Sequence, residues 1–241
     1  MKNSLKVLSC IVFVTITLKA VSCNADFSYR GNDGDIVKQQ RDVSGFDALE
    51  ISGAFEVHLN QGSSESLTVE AESDLIDKIV TEVQGKTLKI HTERNCCKNA
   101  KTMTIYLTFK DLSFMDISGA CELSNEGSMK LEKLGMEVSG ASEIHFNMDL
   151  DKLDLNLSGA SELEMEGRCE EVSLESSGAS EITAEDFEVN RMTIDASGAS
   201  ECRVNVSDQL SVDVSGATSV KYKGNPQVMA SKSGASSIKP Y

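Results

Sequence analysis

The chain has no tryptophan, four tyrosines, two prolines and three histidines in 241 residues. Sugar-cleaving platforms usually rest on aromatic rings, so an enzyme acting on polysaccharides has little here to build with. Neither of His58 and His145 has a nucleophile beside it, and the repeated serines described below have no basic neighbour, so acyl-transfer chemistry is not supported. Basic side chains are scarce as well: 23 Lys and Arg face 38 Asp and Glu, a formal charge of −15. Such a surface repels phosphate backbones, which argues against nucleic-acid binding. No CxxC pair occurs among the seven cysteines, so zinc-ligand spacing is missing.

The chain has one long apolar run, "VLSCIVFVTITL" at 7–18. It follows Lys2 and Lys6 and is too short to span a bilayer, so it fits the apolar stretch of a secretory signal. "AVSC" follows, with Ser22 before Cys23. A small residue before cysteine at this place resembles a bacterial lipoprotein signal, and cleavage there would leave Cys23 as the lipidated N-terminus. Ordinary cleavage near Ala25 is the alternative. Loss of residues 1–22 removes three lysines and no acid, taking the charge from −15 to −18. The expectation is export to the outer membrane or cell surface, with the membrane reached through the lipid alone. Residues 1–22 are then the signal, and 23–40, polar and glycine-bearing, a tether.

What the chain does have is repetition. "SGA" begins at Ser52, Ser118, Ser139, Ser158, Ser177, Ser197, Ser215 and Ser233, at intervals of 66, 21, 19, 19, 20, 18 and 18. Four copies read "SGASE". A period near nineteen marks a solenoid. Around the copy at 158–160, Leu153, Leu155 and Leu157 alternate with polar residues before the triplet, and Leu163 and Met165 after it. Period two on both sides means strand, corner, strand. Nineteen residues are too few for a strand, a helix and two loops, but they can trace three short strands around a narrow core. The predicted fold is all-β: a right-handed parallel β-helix with "SGA" at one corner of every coil. Gly supplies positive φ there, Ala is small enough to face inward, and Ser can bond the backbone of its neighbours.

The pattern divides the domain 41–241 into an irregular part, 41–115, and regular coils, 116–241. In the first part "FDALEISGAFEVHLNQG" (46–62) reads as one coil. Residues 66–73 and 87–94 read as strands without the triplet, 74–83 as a helical turn or long connection, and 95–102 as a loop. This part is expected to cap the stack, with antiparallel strands, because an open β-helix end invites edge pairing. His58 and His145 share an outward column, but this segment intervenes between them in sequence, so they are not expected to meet. Adjacent Cys96 and Cys97 could oxidise with each other or with a partner. Cys202 falls on an inward column and reads as a small core residue.

Taken together, "VSGFDALEISGAFEVHLNQG", then "LTVEAESDLIDKIVTEVQGKTLKIHTE", then serial "SGAS" and the final "SGASSIKPY" resemble the autotransporter-adhesin head domain family, also called the head GIN domain, of Bacteroidetes envelope proteins. The likeness runs over about residues 41–241. It implies a β-helical, exported domain with an adhesive role, and it brings no catalytic residue set. Neither a membrane barrel nor a coiled-coil stalk is visible in the sequence, so the Cys23 lipid would take the place of self-transport.

Two outward columns flank the corner, and both are acidic. One, two residues after "GA", holds Glu56, Glu122, Glu143, Glu162, Glu181 and Glu201. The other, two before "SGA", holds Glu50, Asp116, Glu137, Asn156, Glu175, Asp195 and Asp213. Stacked at about 4.8 Å, like charges repel by about 1 kcal/mol per pair in water. Splayed side chains in screening salt account for this most simply. Calcium, which favours several carboxylate oxygens on a firm frame, or a cationic ligand would also offset it. No other cofactor is expected. The functional expectation is a surface-binding module or adhesin whose ligand is a glycan or protein. A purely structural envelope protein and a carbohydrate-active β-helix enzyme are the alternatives.

Overall fold

The computed structural model describes residues 34–94, 96–97 and 100–241, so the expected signal and Cys23 lie outside the described residues. The first strands in order are β1 (Ile36–Arg41), β2 (Ala48–Gly53), β3 (Glu56–Gln61) and β4 (Ser66–Glu72). A 3-10 turn, Ile76–Lys78, leads into β5 (Ile79–Gln84), β6 (Thr87–Thr92) and β7 (Met103–Phe109). Next come β8 (Phe114–Gly119), β9 (Glu122–Glu126) and β10 (Met129–Gly140). The long strands are β11 (Glu143–Gly159), β12 (Glu162–Gly178), β13 (Glu181–Gly198) and β14 (Glu201–Val214). The last are β15 (Ser219–Lys223), β16 (Gln227–Lys232) and β17 (Ser237–Pro240). Among the described residues no helix is long and apolar enough to cross a membrane.

The predicted stacked coils are present. From Ser118 to Ser197 each "SGA" pairs in parallel with the next: Ser139 with Ser118 and Ser158, Ser158 with Ser177, Ser177 with Ser197. Inward residues are buried in files, for example Ile117, Val138 and Leu157, or Leu123, Ile144 and Leu163. In each coil the two-residue alternation slips at the glycine corner, and in β11 again at Asp151 and Lys152, where two consecutive side chains stay outside. These slips turn the chain while keeping the next side inward-facing. Changes in interval have visible sites. In the coil of interval 20, Ala184 and Glu185 together lie opposite Met165, a β-bulge that absorbs the extra residue.

The corner differs from the expectation in one respect. Ala141, Ala160 and Ala199 are exposed, and the residue after them points inward. That inward file is Phe55, Cys121, Ser142, Ser161, Ser180, Ser200 and Thr218, all buried. Backbone bonding explains the fourth letter of the repeat. The Ala160 amide donates to Gly140 O (2.8 Å) and the Glu162 amide to Ser142 O (2.9 Å), leaving the amide between them without a rung partner. At three other corners a hydroxyl from the next coil takes up the equivalent amide: Cys121 N donates to Ser142 Oγ (3.2 Å), Ser142 N to Ser161 Oγ (3.4 Å) and Ser180 N to Ser200 Oγ (3.4 Å). Glycine is required for a separate reason. A Cβ on Gly140 or Gly159 would overlap the carbonyl oxygen of the glycine in the coil before, and both glycines have left-handed φ.

The N-terminal part caps the stack with antiparallel strands, as expected, but by an unexpected route. β2 and β3 lie in parallel directly against β8 and β9, so the first coil is continuous with the regular ones. The intervening chain folds to the other side of that coil, where β6 pairs with β2 and β7 with β3. β5 then closes on β6, and β4 on β7, both antiparallel. β1 closes on β4, so residues 36–40, assigned by sequence to the tether, are drawn into the domain. Tethers have no inward face, but Val37 of this segment packs on the core.

Candidate functional site

Both acidic columns are real ladders. In register order, Glu56, Glu122, Glu143, Glu162, Glu181 and Glu201 are consecutive parallel partners. Glu50, Asp116, Glu137, Asn156, Glu175, Asp195 and Asp213 are likewise. Strand alternation puts each on the outer face of its sheet, and the glycine corner between them fixes their vertical alignment.

The ladders are unequally compensated. On the first, His145 lies between two carboxylates, with Nε2 2.8 Å from Glu143 and Nδ1 2.9 Å from Glu164 in the next coil. The hydrogen bond to Glu143, joined by that to Glu164, raises the imidazole above its ordinary value. Arg203 reaches Glu181 (2.8 Å) and Glu201 (3.0 Å), and Lys221 reaches Glu201 (3.0 Å). The Lys221 bond, with Arg203 nearby, holds Glu201 below the ordinary carboxylate range. Glu122 and Glu162 have no ion pair among the described residues. On the second ladder Glu50 pairs with Lys89 (2.6 Å), while Glu137, Glu175, Asp195 and Asp213 have no ion pair among the described residues. Burial, with Glu50 close by, pushes the Asp116 carboxyl up. The column four residues before the second ladder is different: Lys133, Lys152, Glu171 and Arg191 stand in register, three cations to one acid, and the cations pair with Asp154 and Glu171.

Among the described residues no group of three His, Cys, Asp or Glu side chains is arranged to hold a metal ion. The ladder oxygens form a line and do not surround a centre, which suits an extended partner better than a single ion. His58 and His145 do not touch, as expected, but the coil between them is a regular one: Ser124 stands in the column and bonds His58 Nδ1 at 3.1 Å. Cys96 and Cys97 are joined as a disulfide. Cys202 is buried in the core as expected, and burial raises its thiol to about 12. Cys121 and Cys169 are also free and buried, so none of the three is poised as a nucleophile.

One feature of the second face escaped the sequence reading. Phe114 is exposed on the outer side of β8, beside a groove of about 450 Å³ lined also by Gly135, Glu137, Asp154, Asn156 and Glu175. Alternation could have found it: in "FMDI" Met115 and Ile117 point inward, so Phe114 and Asp116 must point outward.

The stacked, glycine-cornered coils define an all-β solenoid. The family model described as "Putative auto-transporter adhesin, head GIN domain" matches residues 45–226, and the chain belongs to that family. That description gives the family an adhesin role. Among solved structures, a "putative adhesin" of Bacteroides fragilis matches with TM-score 0.78 and 21% identity, covering 86% of this chain and 97% of that one. A "putative lipid binding protein" of Parabacteroides distasonis matches with TM-score 0.67 and 22% identity, covering 87% and 98%. A "putative adhesin" of the same species gives 0.64 and 16%, covering 87% and 98%. At these identities the likeness is one of fold. No curated protein matches the chain.

Proposed function

We propose that the protein is an exported adhesin, held at the outer membrane or cell surface by lipid on Cys23, which binds a surface ligand through the outer faces of its coils. The reading is carried by the two stacked acidic columns, and above all by Glu137, Glu175, Asp195 and Asp213, which have no ion pair among the described residues. Parallel register sets Glu137 beside Asp116, Glu175 beside Asp195 and Asp195 beside Asp213, at a cost of about 1 kcal/mol for each pair in water. A partner that brings hydrogen-bond donors or cationic groups relieves that cost. The same field turns away anionic partners, so the ligand is a neutral or cationic glycan or protein surface.

The test is adherence. Beads coated with the chain are offered glycans and matrix proteins, with and without calcium, beside variants Glu143→Gln/Glu162→Gln/Glu181→Gln/Glu201→Gln and Glu137→Gln/Glu175→Gln/Asp195→Asn/Asp213→Asn. The chain should adhere above bare beads, and one of the two variants should lose several-fold in adherence while keeping its circular dichroism. Adherence no better than that of bare beads overturns the adhesin reading and favours a purely structural envelope protein. Fatty-acid labelling of cells expressing the chain, absent in Cys23→Ala, tests the anchor.

A further inference from the structure

We propose that the groove beside Phe114 binds a short neutral saccharide; this rests on the adhesin reading and names the ligand class and the place. Two column breaks coincide there. Gly135 leaves the outward column of Phe114 without a side chain, and the Phe114 ring lies over it: a Cβ on Gly135 would stand 3.0 Å from Phe114 Cδ2. In the neighbouring column Asn156 is the one uncharged member of the second ladder. The result is a groove with an aromatic wall in an otherwise polar sheet.

The wall and the rim have complementary chemistry. Phe114 keeps 38% of its surface exposed, although the alternation of β8 buries its apolar neighbours Met115 and Ile117 completely. An exposed ring offers a stacking face to the C–H face of a pyranose, with an apolar gain that a charged or cationic chain would not need. Around it the side chains of Glu137, Asn156, Ser173 and Glu175 make no hydrogen bond within the described residues, so their acceptors and the Asn156 amide are free. Asp154 is held in place by Lys133 at 3.0 Å and Lys152 at 3.4 Å, which gives the groove one fixed acceptor. Sugar hydroxyls are donors and acceptors at close spacing and match such a set, with a few polar groups orienting a ligand against an apolar wall. Lys133 also lines the groove but is taken up by Asp154, so the unpaired Glu137 and Glu175 set its charge and disfavour saccharides bearing carboxylate or sulfate. The groove crosses the coils of Phe114, Gly135, Asp154 and Ser173, a length of about 14 Å, enough for about three sugar rings. One ring and a shallow rim give weak binding at each site; many copies on one surface would make it strong by avidity.

The experiment is isothermal titration of the chain with a panel of neutral trisaccharides: cellotriose, maltotriose, mannotriose, xylotriose and chitotriose. Trigalacturonate and a sulfated disaccharide serve as anionic comparators, and spermine as the cationic one. At least one neutral trisaccharide should bind. Phe114→Ala, on an exposed position with no core role, should weaken it about tenfold. Asn156→Asp, which restores the charge of the column, should weaken it too. Asp208→Asn, on an exposed position outside both ladders, should leave it unchanged. No binding by any neutral member, equal binding by Phe114→Ala, or a preference for the anionic sugars or spermine overturns the proposal. The two readings fail separately. Adherent beads with no trisaccharide binding leave the adhesin reading in place and remove this site.

Discussion

The N-terminal cap and the regular stack both bend at glycines with left-handed φ, but for different reasons. In the cap, Gly85 (φ +65°) sits in the two-residue turn between β5 and β6, and a Cβ there would meet nothing within 4 Å. In the stack, Gly159 (φ +129°) would press a Cβ into the carbonyl of Gly140. A hairpin asks only for a dihedral angle. A stacked corner asks for the angle and for bare backbone, because the next coil passes at hydrogen-bonding distance: Ala160 N lies 2.8 Å from Gly140 O. Alanine at the two sites separates the two demands. Gly85→Ala should cost about 1 kcal/mol, the dihedral penalty alone. Gly159→Ala adds a collision that the backbone cannot avoid, and should cost roughly 3 to 5 kcal/mol, lowering the melting temperature by about 10 °C or more. Equal shifts for both variants would mean that adjacent corners are not stacked as described.

The same contrast explains what could be read from the sequence. In the stack each inference had many copies to support it. Leu155 recurs as Leu174 and Ile194 in equivalent places, and register forces equivalent residues into one file, so both ladders follow from the sequence. The cap has no copies. That Leu88 and Ile105 belong to one rung against β2 and β3 depends on where the chain goes after Gln61, and local alternation is silent on that. β1 was missed for a related reason: "IVKQQR" has too little apolar alternation to read as a strand, and its backbone pairing with β4 supplies the stability instead. At the corner the repeat showed that Ser, Gly, Ala and Ser recur, but not which of the two small residues points inward. The slip in alternation decides that, and a slip moves every later side chain to the other face. The groove was hidden because the reading followed column members, and the site lies where two columns lapse, at Gly135 and Asn156.

The inward serines offer a smaller test of the stacked corner. Ser200 Oγ accepts from Ser180 N at 3.4 Å and meets Ser176 Oγ at 3.1 Å, whereas Ser180 Oγ has no partner among the described residues. Ser200→Ala should leave an amide and a hydroxyl unsatisfied and cost about 1 to 2 kcal/mol. Ser180→Ala removes an orphan hydroxyl and should be neutral or slightly stabilising. Phe55 fills the equivalent place in the first coil, so the file changes from apolar to polar as the stack moves away from the cap. Chemical denaturation of the two variants, read as midpoints at constant slope, makes the comparison. A larger loss for Ser180→Ala than for Ser200→Ala would contradict the assignment of the corner amides.

The smallest expected effect separates the two histidines of one column. His58, in the coil that meets the cap, has a carboxylate at Nε2 (Glu56, 3.1 Å) and a hydroxyl at Nδ1. His145, in the stack, has a carboxylate at each nitrogen. Only the cationic ring can donate to both, which is why these bonds raise its pKa in the fold. A raised folded value means that the stabilisation is fully present below the ordinary imidazole value of about 6.5 and is lost as pH rises through the higher folded value. His145→Gln should therefore destabilise the chain between about pH 5 and 6, and match it near about pH 9. Ring and carboxylates are each more than a third exposed, so solvent screening keeps the difference below about 1 kcal/mol, and added salt shrinks it further. At His58 the second acceptor is the Ser124 hydroxyl and not a carboxylate. A His145→Gln deficit that grows from pH 6 to 9 would have the wrong sign, and would place the ring in the core-facing file and not between the acids of two neighbouring coils.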